Sequence, residues 1–132
     1  MSAEVLQTLT AATNDLLYTS ETDSPFGVVH WTNRTTIRSS SDLLSLIGNS
    51  SGLRVEDVGL EEFFHDLTQD QEWHDADGKK TVEKFRSLLT VLKEYLTDLK
   101  VFKVGEVEID IYIVGRTADG DWAGVMTTAV ET

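Results

Sequence analysis

The sequence predicts an α+β domain with a mixed or antiparallel sheet. Two observations carry this prediction. Apolar residues recur at helical spacing near the start of the chain and again from Thr81, whereas residues 106–113 alternate with period two and are followed by an Asp-Gly turn and a returning strand. The segments between are short and are punctuated by Pro25 and Gly48-Asn49.

Taken in order, Val5, Leu6, Leu9, Ala12, Leu16 and Leu17 predict an amphipathic helix over residues 3–18. Ser20-Glu21-Thr22-Asp23-Ser24-Pro25 has loop chemistry, and Pro25 pushes Ser24 away from helical geometry. Val28, Val29 and Trp31 favour a strand over residues 26–31. Ser39-Ser40-Ser41-Asp42 reads as a capping box before a short helix that carries Leu43, Leu44, Leu46 and Ile47. A weak strand signal covers Leu53 to Val58, and Phe63-Phe64 sit in a short helix ending near Leu67. Residues 69–80 read as an acidic loop containing Trp73. Val82, Phe85, Leu88, Leu89, Leu92, Leu96 and Leu99 then define a long amphipathic helix. Glu106 to Ile113 alternates as a strand with one apolar and one mostly acidic face. Asp119-Gly120 signals a hairpin, and Trp122 to Val130 returns as its partner.

Composition bounds the function. The chain has 132 residues and reads as one domain over residues 1–132, long enough to bury a core. Its formal net charge of −12 disfavours nucleic acid and anionic membrane as partners and favours a positively charged surface, such as a cleft that binds nucleic acid. The same charge also serves solubility alone. With no cysteine, disulfides and thiolate chemistry are excluded. The start, Met1-Ser2-Ala3-Glu4, lacks the pattern of a signal peptide, and no apolar run reaches membrane-spanning length. A cytoplasmic monomer without a cofactor is the expectation.

Catalytic motifs are missing. Phosphate-loop, dinucleotide-binding and nucleophile-elbow patterns do not occur, and residues 70–77 lack the order of a calcium loop. His30, His65 and His74 have no metal-ligand spacing. Glu61 and Glu62 are adjacent on a helix and point apart. Glu106, Glu108 and Asp110 share a strand face, which fits a solvated surface better than a carboxylate hydrolase. Trp73, inside a polar loop, is either a plug folded back on the protein or a contact anchor for a partner.

An ordered set of residues across the chain resembles the nuclease A inhibitor family, small cyanobacterial-type inhibitors of sugar-nonspecific nucleases. The set begins with Leu16-Leu17-Tyr18, Ser20-Glu21, Pro25-Phe26 and Trp31, and continues with Phe63-Phe64, Gln71, Trp73, Lys84-Phe85 and Leu88-Leu89. Gly105-Glu106-Val107-Glu108, Asp110, Tyr112, Gly115, Gly120, Ala123-Gly124 and Val130-Glu131-Thr132 complete it. Residues 32–55 match poorly, and Lys79-Lys80 depart from the pattern.

The resemblance implies a three-layer α/β/α sandwich, a variant of the PR-1-like fold. It implies a non-enzymatic function: blockade of the active-site cleft of a nonspecific, Mg²⁺-dependent DNA/RNA endonuclease. The family's contact positions map onto Glu21, Trp73 and Thr132. Glu21 would pair with a nuclease arginine, and Trp73 would fill an apolar or stacking site. Thr132 would offer its free carboxylate and hydroxyl to the nuclease's own Mg²⁺, the only metal involved. An acidic interaction or structural domain of the same fold, without inhibitory activity, is the alternative.

Overall fold

The computed structural model describes residues 2–14, 16–19, 23–31, 55–68, 76–118 and 120–130. Its elements are α1 (Ser2–Thr13), β1 (Leu17–Thr19), β2 (Asp23–Pro25), β3 (Gly27–Trp31), β4 (Val55–Val58), α2 (Leu60–Leu67), α3 (Ala76–Tyr95), β5 (Thr97–Val104), β6 (Glu108–Arg116) and β7 (Trp122–Val130). The helix expected over Leu43–Ile47 lies outside the described residues.

Five strands form one sheet in the order β3-β7-β6-β5-β4, and every pairing is antiparallel. The α+β expectation therefore holds, with an antiparallel sheet. Its centre is the β6–β7 hairpin, whose register runs from Glu108↔Val130 to Arg116↔Trp122. Gly120, at φ 89°, takes the left-handed conformation that the turn requires. Thr117 and Asp121 close it, the Thr117 amide donating to the Asp121 carbonyl at 2.8 Å.

Ile109, Ile111 and Ile113 of β6 and Val125 and Ala129 of β7 form the apolar floor of the larger core. Val5 and Leu9 of α1, Phe63 and Phe64 of α2, and Phe85, Leu88 and Leu92 of α3 cover it. Leu9, Leu88 and Leu92 are completely buried. Phe102, Val104, Tyr112, Val114 and Trp122 form a second buried cluster, joined by Val29, Trp31, Val55 and Met126. Only strand residues contribute to it among the described residues. The third layer implied by the family resemblance is thus not shown. The face of β6 expected to be mostly acidic is exposed at Glu108, half-buried at Asp110 and buried from Tyr112 onward, where Val114 continues it into the second cluster. Burial, and next the negative charge of Asp110, raises the pKa of the Tyr112 hydroxyl.

Several boundaries differ from expectation. Helix α1 stops at Thr13 rather than continuing to residue 18. The Thr13 hydroxyl donates to the Leu9 carbonyl at 2.8 Å, and the Asn14 amide turns back to Ala11 at 3.3 Å. Leu16 still reaches the core, but Leu17-Tyr18-Thr19 run on as a strand. Residues 76–80, expected as loop, are the first turns of α3. That helix ends at Tyr95, so Leu99 belongs to β5, a strand the helical spacing had concealed. Asp98, at φ 52°, lies at the register irregularity between Thr97 and Lys100.

Candidate functional site

Strands β1 and β2 form a separate antiparallel ribbon, paired Leu17↔Pro25, Tyr18↔Ser24 and Thr19↔Asp23. Glu21 belongs to the connection between Thr19 and Asp23, and Trp73 to the one between Thr68 and Ala76. Thr132 follows β7 by two residues. All three expected contact residues lie outside the described residues, so no common face is established for them. What the structure does describe is how the segments flanking them are held.

An aromatic chain ties the ribbon to the helices. The Tyr18 ring stacks on Phe63 of α2, with centroids 5.9 Å apart and planes 9° from parallel. Phe26 meets Tyr18 edge-on at 6.5 Å and Phe85 of α3 at 6.0 Å, while Phe63 meets Phe64 at 5.3 Å. Each such pair contributes about 0.5–1.5 kcal/mol beyond its area burial. The Lys103 ammonium of β5 lies 5.9 Å from the Phe63 centroid, a cation–π distance.

The sheet beneath supplies the other anchor. Lys103 pairs with Ile111 and Ile111 with Thr127, so the three form one row across β5, β6 and β7. Thr127 is polar on an otherwise apolar strand face, between Val125 and Ala129. Its hydroxyl donates to the carbonyls of Pro25 at 3.0 Å and Ser24 at 3.3 Å. Sequence reasoning missed this residue. The sequence offered little signal, since Thr127 and Thr128 fall one on each face of a strand that is otherwise apolar on both.

The segment that leads to Trp73 also has a fixed point of departure. At the end of α2 the Thr68 amide and hydroxyl both donate to the Phe64 carbonyl, at 3.0 and 2.7 Å. Arg86 of α3 donates from Nε to the Thr68 carbonyl at 2.9 Å. Glu61 and Lys93 link α2 to α3 as well, but both are exposed, and such a pair adds little stability. The ribbon thus touches α2 through Tyr18 and β7 through Thr127. The three segments that lead to Glu21, Trp73 and Thr132 are neighbours through described contacts.

Two exposed glutamates stand at this end of the sheet. Glu108, the first residue of β6, pairs with Val130 and is exposed, as are Glu106 and Val107 on the β5–β6 connection. Exposed carboxylates of this kind give a negative field that falls off within about a Debye length, roughly 8 Å at physiological salt.

Among the described residues no group of three His, Cys, Asp or Glu side chains could hold an ion. His30 is hydrogen-bonded to Asp121 at 2.7 Å, on strand β3 beside the β6–β7 turn. His65 is exposed on α2, and His74 lies outside the described residues. No helix among the described residues is long and apolar enough to cross a membrane.

The sequence model of the NuiA family, described as nuclease A inhibitor-like protein, matches residues 3–132. No curated protein matches the chain.

Proposed function

This chain belongs to the nuclease A inhibitor-like family, and from that membership we propose that it inhibits a nonspecific, Mg²⁺-dependent DNA/RNA endonuclease by occupying its active-site cleft. The observation that carries the reading is the family match over nearly the whole chain. The net charge of −12 supports it, because the cleft of a nuclease must be basic to hold phosphates. The protein acts by binding and needs no turnover of its own.

In this reading Glu21 presents its carboxylate to an arginine that otherwise holds the scissile phosphate. Trp73 fills an apolar site at the cleft rim. Thr132 places oxygen atoms at the nuclease's Mg²⁺, a hard cation that prefers oxygen ligands. The described ribbon, α2 and β7 supply the frame on which these positions are carried. Burial of the sheet's second face supports the three-layer α/β/α arrangement as part of the same proposal.

Fusions at the two ends test the mechanism. Residues added after Thr132 should weaken protection of plasmid DNA from such a nuclease far more than the same residues added before Met1. The first fusion obstructs the recess into which Thr132 reaches. Equal potency of the two fusions would contradict the metal contact. Lack of protection by the unfused protein, against every nuclease of this class, would overturn the inhibitor reading.

A further inference from the structure

We propose that Thr127 is a positioning residue: its buried hydroxyl fixes the β1–β2 ribbon on β7 and thereby sets how the connection carrying Glu21 is presented. Its functional consequence rests on the inhibitor reading; the tether itself does not.

The side chain is only 3% exposed and belongs to a strand whose neighbouring inward residues, Val125 and Ala129, are apolar. Valine would fill the same volume at that position. A hydroxyl there costs stability unless it is bonded, and its partners are not in its own sheet. They are the carbonyls of Pro25 and Ser24, about a hundred residues away in sequence. The hydroxyl has one proton, so the 3.0 Å contact to Pro25 is the principal bond and the 3.3 Å contact to Ser24 the secondary branch.

The ribbon needs such a tether. Each of its strands is three residues long, and an isolated two-stranded ribbon is marginal in water. Pro25 has no N–H to give to a ladder, so β2 cannot use that position as a donor. The Tyr18–Phe63 stack holds the β1 side, and the Thr127 hydroxyl holds the β2 side. The two anchors act on opposite strands of a register in which Thr19 faces Asp23, directly before and after the connection containing Glu21. Leu16 before β1 and Gly27 after β2 are held by the core and by β7, so loss of the Thr127 hydroxyl loosens the strands between these points rather than the whole ribbon.

The experiment compares the intact protein with Thr127→Val, Thr127→Ala and Thr127→Ser, using hydrogen exchange and nuclease inhibition. Valine keeps the shape and removes the hydroxyl. Alanine removes the hydroxyl without placing a methyl against the Pro25 carbonyl, which covers the case of a misfolded valine variant. Serine keeps the donor. In the valine and alanine variants, amides of residues 17–19, 23 and 24 should exchange about tenfold faster, with the β6–β7 amides unchanged. Inhibition should weaken about three- to tenfold, the loss expected for one hydrogen bond. Serine should restore both. In a Glu21→Gln background Thr127→Val should cause little further loss, because the group it positions is already gone. Unchanged exchange in the ribbon would overturn the tether, and full additivity with Glu21→Gln would overturn its link to Glu21. A freed ribbon in a protein that inhibits nothing would support the tether and reject the inhibitor reading.

Discussion

Glu21→Gln should weaken nuclease inhibition by about 2–5 kcal/mol while leaving the thermal unfolding of the free protein unchanged. Glutamine matches glutamate in shape, so the substitution isolates the charge. In the complex the carboxylate would face a desolvated arginine, and most of the loss comes from leaving that cation buried without a counter-ion. In the sequence Glu21 belongs to the connection between Thr19 and Asp23, and the core described above is built from other residues. Inhibition constants and melting curves for both proteins check the prediction together. Unchanged inhibition by a folded variant would remove Glu21 from the interface.

Gly124→Ala should destabilise the fold by about 3 kcal/mol or more, the upper part of the range for overpacking. Gly124 lies opposite Val114 at the centre of the β6–β7 ladder. A Cβ there would overlap the Ile113 carbonyl oxygen and stand 2.8 Å from the Val114 Cα. Both are backbone atoms of a strand paired on two sides, so neither can swing away as a side chain does. Glycine is therefore required by close approach, although its backbone angle is ordinary. Gly27→Ala is the control. It lies on the edge strand β3, and a Cβ there meets nothing within 4 Å. Urea denaturation of the two variants should separate them clearly. Comparable stability would contradict the packing described for the central hairpin.

The elements legible in the sequence were those whose local pattern and tertiary role agree. Strand β7 runs over Trp122–Val130 as expected, because the alternation of residues 106–113 and the Asp-Gly turn both point to a hairpin. Strand β5 was hidden because Leu96 and Leu99 continue the helical spacing of α3. The irregular backbone at Asp98 that breaks the pattern leaves no mark in residue type. Leu16 and Leu17 misled in the same way at the end of α1. Strand β2 looked like a loop because its stability comes from β1 and Thr127 rather than from its own residues.

The candidate site was legible only in part. Glu21, Trp73 and Thr132 are separated by about fifty to sixty residues at each step, and no spacing rule connects them. The family resemblance singled out Glu21 and Thr132, while Trp73 also stood out as a tryptophan inside a polar loop. Composition pointed to a basic partner but to no position on the surface. The contacts that bring the flanking segments together, Tyr18 on Phe63 and Thr127 on Pro25, are tertiary. None of them follows from local residue pattern, and Thr127 is not distinguished in the sequence from its neighbour Thr128.

Titration of a nonspecific Mg²⁺-dependent nuclease with the purified protein, at nuclease concentrations well above the dissociation constant, tests the inhibitor assignment most directly. Residual hydrolysis of plasmid DNA should fall linearly and reach zero at one equivalent, as expected for a folded domain that plugs one cleft. Full nuclease activity at several equivalents would contradict the account.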